Sequence, residues 1–202
     1  MNFISKNGVL IIFVALLVQI ALMLLQADTL SSIWFILLVL LVFLYRKPKR
    51  ETFRSNAMIS SLVDGTIVGI DRLQDTICIR IENNIVDASI IKAPLECKIE
   101  KVQKRNGIYL QDLSLLADKL NEKYEIWLDK AQIKIDIMPS FLSFTGVSFY
   151  PKKDDEIGFG EEIGFMMNGV IAIYLQNNAT LKVSIGDKVK ANESIIASLN
   201  QN

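Results

Sequence analysis

Hydrophobic positions run almost unbroken through the first 45 residues and alternate with polar ones over most of the remainder. From Val9 to Leu25 no charge occurs and Gln19 is the one polar residue, a length suited to the hydrocarbon core of a bilayer. A second apolar run, Leu30 to Tyr45, corresponds as a helix to about 24 Å, slightly short of that core. Gln26, Ala27, Asp28 and Thr29 form the short link, so the pair predicts a transmembrane hairpin, with Trp34 and Tyr45 as interfacial anchors. A cleaved signal peptide is the rival reading, but it leaves the second run unexplained. Beyond residue 60 the period is two and β-branched residues dominate. Residues 66–70, 76–81, 97–102 and 131–137 read as strands, and prolines stand at the ends of the runs. One window differs: Leu113, Leu116, Ala117 and Leu120 follow helical spacing and predict a short amphipathic helix over 111–121. The expected fold is mainly β: a membrane anchor at 1–50, a polar linker at 51–60, and a compact sandwich or closed barrel at 61–202 with one short helix.

Charge gives the anchor a direction. Arg46, Lys47, Lys49, Arg50 and Arg54 crowd the end of the second run, Lys6 precedes the first, and the link has no basic residue. The positive-inside rule then puts both termini and the C-terminal domain in the cytoplasm, on the inner membrane. Arg46, Lys47, Lys49 and Arg50 are also candidate contacts to anionic headgroups. A topology signal alone accounts for them equally well. From Ser55 onward 16 basic residues face 20 acidic ones, so no basic stripe exists for nucleic acid. Cys78 and Cys97 lack metal-site spacing and read as buried thiols in a reducing compartment. No histidine occurs in the chain, which removes the commonest zinc ligand and acid/base group together, and no metal site is expected.

Six segments in order carry a more specific signal. They are Leu44-Tyr45-Arg46-Lys47-Pro48-Lys49-Arg50, Ser61-Leu62-Val63-Asp64-Gly65-Thr66-Ile67-Val68, Asp87-Ala88-Ser89-Ile90-Ile91-Lys92-Ala93-Pro94, Asn121-Glu122-Lys123, Glu161-Glu162-Ile163-Gly164 through Tyr174-Leu175, and Ile185-Gly186-Asp187-Lys188-Val189-Lys190-Ala191-Asn192-Glu193. Together they resemble the phosphatidylserine decarboxylases of the short prokaryotic type, over nearly the whole chain. In that family an Asp–His–Ser set cleaves the chain at the serine of a Phe-Gly-Ser-Arg segment, and the serine becomes an N-terminal pyruvoyl group. That ketone takes the substrate amine as a Schiff base and accepts the electrons released with CO₂.

The resemblance implies that Asp64 occupies the aspartate position, that Ser89 stands where the histidine belongs, and that Asn168-Gly169 lies on the family's Phe-Gly, with no serine before Val170. Between Ile163 and Asn177 there is no Ser, Thr or Cys, and the segment is one residue shorter than the family pattern. Gly169 sits beside the lost serine. Ser89 cannot stand in for the histidine, because an ordinary hydroxyl is no base near neutrality. Asp64 by itself also fits a plain Asp-Gly turn residue. No catalytic set is intact and the family's pyruvoyl group is not formable here.

The expected function is therefore a membrane-anchored, catalytically inactive relative of the decarboxylases. It would hold phospholipid or pair with itself or with an active decarboxylase. The alternatives are an active phosphatidylserine decarboxylase with a variant site, and a non-enzymatic membrane-tethered β-module. A lipoyl-type carrier is disfavoured, because neither Lys188 nor Lys190 has the hairpin-tip setting.

Overall fold

The computed structural model describes residues 3–50, 58–73, 75–109, 119–130, 132–143 and 146–199, which fall into two compact units meeting at Lys49–Arg50. The first unit is a pair of helices, α1 (Lys6–Leu24) and α2 (Asp28–Leu44). The link is shorter than the expected 26–29, because Asp28 opens α2. Its carboxylate meets the positive end of the helix dipole there, and Ser31 N–H already bonds Ala27 O at 2.8 Å. α1 is long and apolar enough to cross a membrane, whereas α2 reaches about 26 Å. Trp34 Nε1 donates to Ala15 O at 2.9 Å, Gln19 Nε2 donates to Ser31 Oγ at 2.8 Å, and Tyr45 is buried against Gly8. Trp34 and Tyr45 thus tie the two helices together.

The second unit is β-rich, as the period-two pattern predicts. In chain order its strands are β1 (Met58–Ser60), β2 (Gly65–Arg72), β3 (Thr76–Asn83), β4 (Ile90–Lys92), β5 (Cys97–Arg105), β6 (Lys123–Leu128) and β7 (Lys134–Pro139). After these come β8 (Val147–Phe149), β9 (Glu156–Ile157), β10 (Glu162–Met166), β11 (Gly169–Gln176), β12 (Thr180–Leu181), β13 (Lys188–Val189) and β14 (Ile195–Ser198). The largest sheet has the order β13-β2-β3-β11-β7-β6-β5-β9, and two three-stranded sheets, β1-β14-β12 and β4-β10-β8, accompany it. The large sheet is open, with β13 and β9 as its edges, so the architecture is a sandwich rather than a closed barrel. One continuous apolar core joins all three sheets through Ile59, Ile79, Ile91, Ile126, Ile135, Ile163, Ile173 and Ile196.

Two boundaries need correction. Met58–Ser60, expected as linker, is strand β1 paired to β14, because Ile59 carries a fully buried side chain into the core. The β unit therefore starts before residue 61, while the rest of the expected linker, residues 51–57, lies outside the described residues. The predicted helix over 111–121 also falls largely outside them. Of that segment Lys119 and Leu120 are helical, and Asn121 bridges to Ile108.

On its other face the large sheet carries charge. Lys123 Nζ lies 3.1 Å from Asp136 Oδ2, and Lys134 Nζ lies 3.0 Å from Asp136 Oδ1 and 3.1 Å from Glu125 Oε1. Asp136 is fully buried, so these ion pairs meet the requirement that a buried charge be partnered. Burial works against the Glu125 carboxylate, yet Lys134, Lys123 and Arg105 outweigh it and hold its pKa below the ordinary range. Burial likewise opposes the Lys134 ammonium, but Asp136 and Glu125 leave its pKa raised.

Candidate functional site

The site positions gather at one end of the large sheet. β11 runs between β3 and β7, and its first residue, Gly169, pairs with Asn83 on one side and Pro139 on the other. The inward register of β3 reads Ile77, Ile79, Ile81, Asn83, so the pattern brings one amide into a row of isoleucines. A buried amide there needs partners. Asn83 Nδ2 donates to Asp64 O at 2.9 Å and to Ala88 O at 3.2 Å. Ser89, the next residue, accepts at its carbonyl from Met166 N–H at 2.8 Å. The Asn83 side chain thereby ties together the segments bearing Asp64 and Ser89, and strand pairing brings Asn168-Gly169 beside them, although they lie far apart in the chain.

Asp64 sits in the turn that feeds β2, braced by Ser61 Oγ donating to Val63 O at 2.7 Å. Gly65 follows because the backbone of β3 comes too close for a side chain: a Cβ there would lie 2.2 Å from Glu82 O. Both carboxylate oxygens of Asp64 are engaged. Oδ1 accepts from Ala191 N–H at 2.8 Å, and Oδ2 pairs with the Arg50 guanidinium, which also reaches Glu193 Oε2 at 3.4 Å. Arg50, grouped by sequence with the headgroup contacts, is thus drawn into the β unit and largely shielded. Of the others, Arg46 stacks 3.9 Å over Phe43, Lys49 lies 5.8 Å from the Phe3 ring, and Lys47 is half-buried.

The turn itself is closed. Ser140 hydroxyl donates to Asn168 Oδ1, and Ser140 N–H donates to Asn168 O at 3.1 Å. Gly169 has φ +154°, and a Cβ on it would stand 2.3 Å from Met138 O and 2.9 Å from Pro139 Cα, both backbone atoms. The pairing with β7 therefore favours glycine at that residue. No Ser, Thr or Cys lies between residues 163 and 177, and the chain holds no histidine to promote attack by one. Ser140 brings a hydroxyl to the turn, and its proton is donated to Asn168. Three contributors escaped the sequence reading: Asn83, Ser140 and the pairing of Arg50 with Asp64. Asn83 was findable, because the period of β3 points it inward. The other two depend on contacts across 28 and 14 residues that no local pattern encodes.

Comparison with known proteins identifies the family. The family model for phosphatidylserine decarboxylase matches residues 37–197. A phosphatidylserine decarboxylase proenzyme of Amoebophilus asiaticus is 27% identical over 184 residues, covering 86% of this chain and 79% of the relative. One from Burkholderia cenocepacia strain J2315 is 26% identical over 200 residues, covering 94% of each chain. No solved structure matches the chain. The matched span takes in the C-terminal half of α2, β1 to β13, β14 but for its last residue and each of the site positions, and the chain belongs to the phosphatidylserine decarboxylase family.

Proposed function

We propose that this protein is a non-catalytic member of its family, held at the cytoplasmic face of the inner membrane, whose β unit works by binding rather than by decarboxylation. The observation that carries this reading is that the segment from Ile163 to Asn177 holds no Ser, Thr or Cys and the chain holds no histidine, so the serine that the family converts has no counterpart beside Gly169. The electron sink of the family's reaction is made from a serine of the chain itself, so its loss differs from the loss of an auxiliary group. Removing one assisting residue leaves residual catalysis, whereas without the sink the barrier returns nearly to that of the uncatalysed reaction. The engagement of both Asp64 oxygens supports the same conclusion, since that carboxylate has become a clasp for Arg50 and the Ala191 amide.

Membrane attachment is supported by the length and apolarity of α1 and by the basic residues after α2. Arg46, Lys47 and Lys49 are the candidate contacts to anionic phospholipid headgroups, each adding about 1 kcal/mol near a charged surface. Two assays test the proposal. The full chain in detergent, given radiolabelled phosphatidylserine, is expected to release no CO₂ above the blank. Sustained turnover would overturn the reading and favour an active enzyme with a variant site. Fusion of a reporter at Asn202 is expected to show cytoplasmic activity, and activity on the far side would overturn the proposed location.

A further inference from the structure

The clasp around Arg50 lies wholly inside the β unit, yet Arg50 is the residue next after Lys49, where the helical unit ends. Its receptor is built from two turns. Asp64 lies in the turn before β2, and Glu193 lies in the turn between β13 and β14. The turns are tied to each other: Asn192 N–H donates to Ser61 O at 2.9 Å, Ser61 N–H to Ser194 O at 2.8 Å, and Ala191 N–H to Asp64 Oδ1 at 2.8 Å. Leu62 and Val63 plant the first turn in the core, and Ala191 is buried in the second. The fold itself therefore holds the two carboxylates in place, so a guanidinium that bridges them has little of its receptor left to order. Arg50 pairs with Asp64 Oδ2 through one terminal nitrogen and lies 3.4 Å from Glu193 Oε2 through the other. The Arg50 and Asp64 side chains are each 11% exposed, so water screens this pair less than an ordinary surface one.

Chain length gives this pair a consequence. On the helical side, Lys47 N–H donates to Phe3 O at 2.7 Å. Three residue steps lead from Lys47 to Arg50, at most about 11 Å of chain. Beyond Arg50, the next described residue that the β unit secures is Met58, paired with Ser198 of β14. Eleven steps lead there from Lys47, at most about 40 Å of chain. The clasp thus decides whether the two units are joined by about 11 Å of chain or by about 40 Å. A longer tether lowers the effective concentration of a tethered module at any surface its anchor occupies. Lys190 offers a contrast at the same turn: its Nζ is 3.8 Å from Glu193 Oε2, its side chain is 63% exposed, and it lies inside the β unit, where its loss lengthens no tether.

We propose that Arg50 is a strap. Clasped between Asp64 and Glu193 it keeps the β unit on a short tether to the helical pair, and released it lets out the chain as far as Met58. The strap needs only the contacts inside the β unit, while its use, keeping that unit close to the membrane, rests on the attachment proposed above. The test uses the full chain in detergent with nitroxides on Val9→Cys and Leu73→Cys, both exposed positions, and measures their separation by double electron–electron resonance. Wild type labelled in parallel sets the background, since Cys78 and Cys97 are buried. With the clasp intact a narrow distance distribution is expected. Arg50→Gln, and separately Asp64→Asn combined with Glu193→Gln, are each expected to at least double its width, over at most the about 29 Å of chain released. Lys190→Gln is expected to leave it unchanged. A broad distribution with the clasp intact, no broadening in either clasp variant, or equal broadening by Lys190→Gln overturns the strap. Loss of the cooperative unfolding transition with Arg50→Gln overturns it too, because Arg50 would then support the fold itself. Flotation of the same proteins with phosphatidylcholine–phosphatidylglycerol vesicles reads the other claim. A narrow distribution in protein that does not float leaves the strap standing and overturns the membrane attachment.

Discussion

The three strands β3, β11 and β7 and the turn that opens β11 differ sharply in what each preserves. In the strands every inward position is isoleucine or leucine up to the site end, Ile79, Ile81, Ile135, Ile137, Ile171, Ile173 and Leu175 among them, and all are buried. At the turn no serine stands beside Gly169. Asn168 bonds Ser140, and Gly169 leaves no space for a side chain. The contrast teaches that the fold and the reaction answer to separate requirements. The sandwich is held by apolar burial across three sheets, which asks nothing of the nucleophile, so the site can close while its frame persists.

The largest effects are expected from the frame. Ile171→Ala opens a cavity where three strands meet and is expected to cost about 2–5 kcal/mol, read from the midpoint of denaturant unfolding. Asp136→Asn leaves the buried Lys123 ammonium without its nearest partner and is expected to cost about 3 kcal/mol on the same measurement. At the turn, Gly169→Ser forces the backbone of β7 aside and is expected to cost about 1–3 kcal/mol without producing a cleaved chain. A stable Gly169→Ser protein that cut itself would erase the distinction between frame and turn. Asp64→Asn is expected to lose about 1 kcal/mol, the worth of a largely shielded but not fully buried pair, and to leave the electrophoretic pattern unchanged.

The smallest effect is one of pH, and the sign differs for the two partners. Glu125 has a folded pKa below its ordinary 4.5, so its contribution is complete above that value and is lost as pH falls through the folded one. Lys134 has a folded pKa above its ordinary 10.5, so its contribution is complete below that value and is lost as pH rises through the folded one. Comparing wild type with Glu125→Gln should show the two stability curves converging on the acid side. Parallel curves would remove Glu125 from the frame's energetics.

Much of the frame was legible in the sequence, because alternation states which face of a strand is buried. Thr66–Ile70, Thr76–Ile81 and Cys97–Val102 all fall inside observed strands. The strand Met58–Ser60 was missed because three residues are too few to display a period, and the pairing with β14 that makes it a strand lies far along the chain. The site was legible by subtraction, since a missing serine and a missing histidine can be read directly. What had replaced them could not be read. The closing of the turn depends on how near β7 comes to Gly169, and the fate of Asp64 depends on Arg50 folding back onto it.

The central claim is that this chain remains whole. Intact-mass spectrometry of the purified full-length protein, after treatment with an amine and cyanoborohydride, tests it directly. A single unmodified species at the mass of the complete 22.8 kDa chain is the expected result. Two fragments split near residue 168, the C-terminal one carrying the mass of a reductively trapped amine, would contradict it.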